Sequence, residues 1–178
     1  VNNMSTSSHL VEMASRNRML VKSIAYQSEF IHRNPNASKQ KLRWAIRLFD
    51  ELIQVLKDGG VAPEVNGSPK VSGVYNQFKQ EIDQVQTVWT PYRTQAQKIL
   101  NAQSANFFES LEYIENNTER LVIASEALVE AVVAWDQQRT SRANVIFTIL
   151  LLVNFVSLFI LLWVIRKYIV TPVREVLP

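Results

Sequence analysis

Cysteine is absent from the sequence, which excludes disulfide frameworks, thiolate metal sites and cysteine nucleophiles. Glycine is scarce, since the 178 residues contain four glycines and all of them fall between residues 59 and 73. This distribution excludes glycine-rich phosphate loops, nucleotide-binding βαβ units and hairpin-dense β folds. The two histidines, His9 and His32, are too far apart to form a helical pair of metal ligands. No metal or cofactor is therefore expected.

Charge is balanced over residues 1–142, which carry 16 Lys and Arg against 15 Asp and Glu. A near-neutral segment offers no basic face to nucleic acid, so nucleic-acid binding is excluded. The acidic residues are scattered along predicted helices, and they form no identifiable acid and base pair in a cleft. The sequence therefore indicates a protein that is not itself an enzyme.

One long apolar run stands close to the C-terminus. Residues 143–165 contain no charged side chain, and 23 residues in a helix are long enough to cross a hydrocarbon core of about 30 Å. Trp163 and Tyr168 lie at the C-terminal end of this run, where aromatic side chains anchor a span at the membrane interface. The basic residues on the two sides favour a cytoplasmic C-terminus, so residues 1–142 are predicted to lie outside the cytoplasm.

The spacing of apolar residues predicts four helices. The first covers residues 3–33, the second ends at Asp58 before the glycine-containing loop, and the third covers residues 71–101. The fourth is predicted to run from Ala105 to Val170 without a break, which corresponds to about 100 Å at 1.5 Å per residue. Four helices with short connections indicate an all-α fold, an antiparallel up-down four-helix bundle that continues into a transmembrane helix.

A short motif in the first helix resembles that of a known receptor family. Residues 15–20 read S-R-N-R-M-L, which resembles the G-R-Q-R-M-L-S-Q motif of the PilJ-type sensor domain of type IV pilus chemotaxis transducers. It is also similar to the shorter R-M-Q motif of NarX/NarQ-type nitrate sensors. The glycine of the motif is Ser15 here, and its Ser-Gln pair is replaced by Val21 and Lys22.

Later blocks of the sequence are similar to the same family and follow the same order. They comprise residues 48–50 with 56–60, residues 88–93 and residues 115–117 with Leu121. The membrane run and the sequence I-V-T-P-V after it resemble the start of a HAMP linker, the relay beneath many bacterial receptors. The resemblance implies a ligand sensor at the N-terminal side of a transmembrane receptor.

Arg18 is the residue of the motif that most needs an explanation. It lies four residues after Ala14 and three before Val21, so its guanidinium projects from an otherwise apolar stripe. A buried charge without a partner is costly. One possible partner is an acidic residue on another helix, with Glu112, Glu115 and Glu119 as candidates. The other is a bound anion, and the sequence leaves both open.

The resemblance to nitrate sensors implies that the first helix packs against its copy in a homodimer. The two Arg18 side chains would then repel each other, and a small planar anion would relieve the repulsion. The guanidinium fork suits nitrate, nitrite or a carboxylate, and Asn17 would add an amide donor. Ser15, Val21 and Lys22, three of the motif positions at which this sequence departs from the family pattern quoted above, complete the predicted ligand site.

The sequence as a whole indicates the ligand-sensing segment of a bacterial receptor of the inner membrane. Residues 1–142 form a periplasmic sensor, residues 143–165 cross the membrane, and residues 166–178 begin a HAMP linker. Ligand binding would shift the fourth helix and so reach an output domain beyond Pro178, either a histidine kinase, a cyclic-di-GMP enzyme or a methyl-accepting rod. We expect an export segment or a first membrane helix before Val1.

Two other functions fit the same sequence. The bundle could dock a periplasmic or pilus protein, or it could be a passive membrane-anchored coiled coil. Apolar residues left exposed on the second and third helices would favour docking. A closed pocket around Arg18 would favour a small ligand.

Overall fold

A computed structural model describes the chain over residues 2–65, 69–101 and 107–165, and within these it describes the side chains of residues 8–65, 69–101, 107–138 and 145–159. The described residues form four helices and two short strands, in the order α1 (Asn2–Arg33), α2 (Gln40–Asp58), β1 (Gly59–Val61), β2 (Lys70–Ser72), α3 (Lys79–Asn101) and α4 (Phe107–Ile165). The predicted all-α class is confirmed, since the strands contribute only a small hairpin.

The helix boundaries agree with the prediction except at the start of α3. The first helix ends at Arg33 and the second at Asp58, as expected. The third begins at Lys79 instead of residue 71, because residues 70–72 pair with β1 as a strand. The fourth was predicted from Ala105 to Val170, and both of those ends lie outside the described residues.

The hairpin explains why the glycines are clustered. β1 and β2 are antiparallel, with Gly59 opposite Ser72. Gly59 has a φ of +83°, and a Cβ added to it would lie 2.6 Å from the backbone nitrogen of Gly73. A Cβ on Gly73 would lie equally close, at 2.6 Å, to the carbonyl oxygen of Lys57. Glycine is therefore required at both positions, where the end of α2 and the end of the hairpin touch backbone to backbone.

Side-chain contacts show that α1 and α4 are antiparallel neighbours. Near the C-terminal end of α1, the ring of His32 stacks on Phe107 with 5.4 Å between centroids. Fourteen residues earlier, Arg18 reaches Glu126, which lies nineteen residues further along α4. The two helices therefore run past each other in opposite directions.

The other neighbouring helices are paired in the same way. Asp50 forms an ion pair with Arg93 at 2.8 Å, and Lys57 donates a hydrogen bond to Gln86 at 3.4 Å. The later residue of α2 therefore contacts the earlier residue of α3, which shows that the two helices are antiparallel. Two further hydrogen bonds join α3 to α4, between Tyr92 Oη and Thr118 Oγ1 at 2.9 Å and from Ser110 Oγ to Gln95 Oε1 at 3.0 Å. The helices form an antiparallel bundle, as the sequence predicted.

The interior of the bundle is filled by the apolar stripes that the helical spacing predicted. The second helix presents eight buried residues to this core, and α3 presents seven. Full burial of one large apolar side chain contributes about 1.5–3 kcal/mol. The largest fully buried side chains are Tyr92, Phe49, Leu10, Met13, Ile24, Leu42, Leu52, Leu56, Ile82, Ile99, Ile114 and Leu121.

The chain divides into two compact units, Val1–Ala134 and Trp135–Pro178, and α4 contributes residues to both. Over the part of the chain that the structure describes, no helix combines the length and the apolar character that a membrane crossing requires.

The predicted membrane segment, residues 143–165, lies within α4. The side chains at its two ends, residues 143–144 and 160–165, are outside the described residues, so the span stays a prediction. The predicted start of the HAMP linker, residues 166–178, also lies outside the described residues.

Candidate functional site

The predicted ligand site on α1 contains an ion pair that crosses to α4. Arg18 Nη1 donates a hydrogen bond to Glu126 Oε1 at 2.8 Å. The two side chains are 39% and 46% exposed, so the pair lies at the edge of the bundle and remains accessible to solvent. An exposed pair of this kind contributes about 0–1 kcal/mol to stability. Arg18 therefore has an intramolecular partner that an incoming anion would have to replace.

Arg18 contacts an acidic residue on another helix, which was one of the two alternatives, but the residue is none of the three candidates. The sequence suggested Glu112, Glu115 or Glu119, whereas the structure selects Glu126. The reason is the register of the antiparallel helices, which brings the end of α1 to the start of α4 and therefore brings Arg18 to a much later part of α4. Glu119 is seven residues, or about two helical turns, away from the correct level.

The Asn17 side chain does not point to the edge of the bundle where the Arg18 guanidinium lies, although the prediction required this. That side chain is 0% exposed and belongs to the core of the bundle. Neither Asn17 Nδ2 nor Asn17 Oδ1 has a hydrogen-bond partner in the structure. Successive helical residues are turned by about 100° from each other, so Arg18 points to the edge while Asn17 points inward. An amide donor from Asn17 to an anion bound at Arg18 is therefore not available in this arrangement.

The remaining predicted site residues are also divided between surface and core. Val21 is 0% exposed and packs in the interior, so it cannot contact a ligand at the surface. Lys22 is exposed and Ser15 is half-buried. Of the five predicted residues, Ser15, Arg18 and Lys22 reach the surface, whereas Asn17 and Val21 do not.

Arg16, next to these residues, makes the surface contact that its spacing predicts. Its guanidinium lies 3.5 Å from Glu12, four residues earlier on α1, and both side chains are about one third exposed, at 31% and 33%. Such a pair contributes a few tenths of a kcal/mol, or about 0.2–0.5 kcal/mol. Arg16 therefore makes an ordinary surface ion pair within one helix, which makes this residue a useful control for Arg18.

A second cluster joins two of the sequence blocks that carry the family resemblance. Asp50 on α2 accepts a hydrogen bond from Trp89 Nε1 at 2.7 Å and lies 2.8 Å from Arg93 Nε. The ring of Phe49 packs on Trp89 with 4.0 Å between centroids. Sequence reasoning did not identify this cluster, although residues 48–50 and 88–93 had been singled out as blocks. It holds α2 against α3.

Tyr92 completes the packing beside this cluster. It is 0% exposed, and burial raises the pKa of its phenol to about 12, with the hydrogen bond to Thr118 acting in the opposite direction. Trp89 is 4% exposed. Both aromatic residues therefore belong to the core of the bundle.

A groove lined by aromatic side chains lies where α1 turns into α2. Its volume is about 520 Å³, and Tyr26, Phe30 and Trp44 expose 61%, 41% and 37% of their surfaces there. Lys41 also lines it. Sequence reasoning missed this groove, although the four-residue spacing of Tyr26 and Phe30 placed both rings on one face of α1. None of the predicted ligand residues lines it.

The fold defines a class of protein, an antiparallel helical bundle whose first helix carries the motif of residues 15–20. The sequence matches the family described as PilJ, type IV pili methyl-accepting chemotaxis transducer N-term, over residues 1–110. The chain belongs to this family. No curated protein and no solved structure matches it. The family is a sensory one and is not catalytic.

Proposed function

We propose that the chain is the sensing segment of a membrane-anchored chemotaxis receptor, with the bundle as the input and α4 as the output. The observation that carries this proposal is the family match over residues 1–110, whose last residues already belong to α4. The helix then continues to Ile165. A displacement of α4 inside the bundle would therefore be passed along the same helix, by the small helix shifts common in switching proteins.

We propose that residues 143–165 cross the bacterial inner membrane, with the bundle in the periplasm and a HAMP linker beginning at residues 166–178. The described side chains of residues 145–159 support this, because they include no charged group. Twelve large apolar side chains in that stretch are each between 54% and 67% exposed. Exposed apolar surface of this extent is typical of a membrane or protein interface.

The proposed stimulus is a small planar anion that takes the place of Glu126 at Arg18. The guanidinium is already at the surface and is held by a carboxylate, which has the same geometry as nitrate or a free carboxylate ligand. Replacing Glu126 would release α4 from α1 at one point of the bundle. The ion pair is thus the proposed link between ligand binding and movement of the output helix.

We further propose that two copies associate through α1. Met19 and Tyr26 lie seven residues apart on this helix and are 67% and 61% exposed, which is the spacing of a helix–helix seam. Because the chain has no cysteine, Met19→Cys introduces a single thiol. It should form a disulfide-linked dimer on mild oxidation, whereas Lys98→Cys, at an exposed position on α3, should not.

The anion site can be tested by thermal unfolding of the full chain in detergent micelles, with nitrate, nitrite and small carboxylates. A ligand that binds only the folded chain, at a concentration a hundred times its dissociation constant, raises the free energy of unfolding by about 2.7 kcal/mol. Arg18→Ala should abolish the stabilisation, and Arg16→Ala should retain it. Glu126→Gln should strengthen it, because the competing carboxylate is removed.

If no anion stabilises the native chain or Glu126→Gln, the pair at Arg18 is structural. A second candidate function then has an observation in its favour, namely the aromatic groove between Tyr26, Phe30 and Trp44. Three exposed aromatic rings fit the docking of a periplasmic or pilus protein better than they fit a small anion. Trp44→Ala should weaken capture of such a partner and leave any response to anions unchanged.

A further inference from the structure

Within the described part of the chain, two buried polar residues, one on α1 and one on α4, have side-chain atoms without a hydrogen-bond partner. Among the side chains that the structure describes, three buried nitrogen or oxygen atoms have no hydrogen-bond partner, and they are Asn17 Nδ2, Asn17 Oδ1 and Ser125 Oγ. The other two buried polar residues are satisfied, since Ser28 donates to Ile24 O at 2.8 Å and Ser110 donates to Gln95 at 3.0 Å. The exceptions belong to two residues only.

These two residues lie at the same level of the bundle. Arg18 and Glu126 bond each other across the edge of the interface at 2.8 Å, and Asn17 and Ser125 directly precede them in the sequence. Stepping back one residue turns the side chain by about 100° on each helix. Asn17 and Ser125 therefore point into the core, where they are 0% and 1% exposed. The unpaired side chains of α1 and α4 thus lie at the same level along the two helices.

The chemistry of the three atoms fits one bridging molecule. The Asn17 amide offers two N–H donors and a carbonyl acceptor, and the Ser125 hydroxyl can donate or accept. A water molecule donates two hydrogen bonds and accepts two, so it can accept from Asn17 Nδ2, donate one hydrogen to Asn17 Oδ1 and donate the other to Ser125 Oγ. Buried waters in globular proteins typically make about three hydrogen bonds to buried polar groups that would otherwise be unpaired.

We infer that Asn17 and Ser125 share an internal water molecule that bridges α1 to α4 beside the Arg18–Glu126 ion pair. A water bridge holds two helices with less geometric constraint than a direct hydrogen bond, because the water can reorient as the helices shift. The bridge therefore satisfies the buried groups while leaving the interface able to move. This inference does not depend on any ligand at Arg18.

Nuclear magnetic resonance tests the bridge directly in the native chain. The full chain is labelled with ¹⁵N-asparagine in detergent micelles, and the Asn17 side-chain amide is assigned from the loss of its signal in Asn17→Leu. The amide protons should show cross-peaks to water of the sign typical of a long-lived bound molecule, and these should weaken in Ser125→Ala. Absence of the cross-peaks in the native chain would overturn the inference.

A double-mutant cycle provides a second, independent readout. Asn17→Leu and Ser125→Ala should be non-additive, with a coupling of at least about twofold in the unfolding equilibrium constant, because each change disturbs the same water. Asn17→Leu combined with Ser28→Ala, a buried serine bonded within its own helix, should be additive. Additive effects for Asn17 and Ser125 would contradict the bridge. Coupling without water cross-peaks would also contradict it, since a direct bond would then join the two side chains.

Discussion

Asp50 makes two bonds from α2 to α3, and the structure indicates how much stability is lost when each is removed. Asp50→Ala leaves the N–H of Trp89, a residue that is 4% exposed, without its acceptor. An unsatisfied buried donor costs about 1–3 kcal/mol. The lost pair with Arg93, whose side chain is 45% exposed, adds at most about 1 kcal/mol. The total is about 1–4 kcal/mol.

Asp50→Asn is the matched variant because it keeps an oxygen at the position that Trp89 requires. Only the charge opposite Arg93 is lost, so the cost should be about 1 kcal/mol or less. Thermal unfolding of the full chain in micelles, followed by tryptophan fluorescence, distinguishes the two. A change of 1 kcal/mol corresponds to about 2–4 °C for a chain of this size. Equal losses in the two variants would refute the argument, since the hydrogen bond to Trp89 would then contribute nothing.

Three further outcomes follow from single contacts. Gly59→Ala should lower the free energy of unfolding by more than about 2 kcal/mol in the same assay, because the positive φ of Gly59 and the backbone of Gly73 both exclude a Cβ. A loss of less than about 1 kcal/mol would contradict this. Lys39→Ala should cost about 1 kcal/mol, since Lys39 Nζ donates to the carbonyl oxygens of Ile99 and Leu100 at 3.3 and 3.1 Å at the end of α3. For Tyr92, whose pKa burial raises to about 12 in the folded state, stability should fall between pH 10 and pH 12 as the unfolded phenol ionises first. A pH titration of unfolding on Tyr92→Phe should show a shallower fall.

Much of the fold was predictable because helical spacing is a local property. The stripes on α2 and α3 and the turn glycines are visible in the sequence, and the ends of α1 and α2 agree with the structure. The hairpin of β1 and β2 was not predicted because each strand has only three residues, which is too short for an alternating apolar pattern to be recognised. Its presence depends on the close backbone contact of Gly59 and Gly73, which joins residues distant in the sequence.

The candidate site was predicted less well, since its geometry depends on helix register. The sequence placed Arg18 within an otherwise apolar stripe, where its charge required a partner, and the structure supplies Glu126. Nothing local in the sequence fixes which turn of α4 faces Arg18. The burial of Asn17 was also hidden, because the stripe chosen from the sequence was centred on Arg18, whereas the buried stripe of α1 is centred one residue earlier.

The most direct test of the proposed receptor is the membrane topology of α4. Single cysteines at Thr94 and Arg174 are introduced into the chain, which has none of its own, and each variant is expressed in bacteria behind a cleavable export signal. A membrane-impermeant maleimide is then added to spheroplasts. If residues 143–165 span the membrane, Thr94→Cys is labelled in intact spheroplasts and Arg174→Cys is labelled only after lysis. Equal labelling of both in intact spheroplasts would mean that the whole chain is exported, which would contradict a membrane span at residues 143–165.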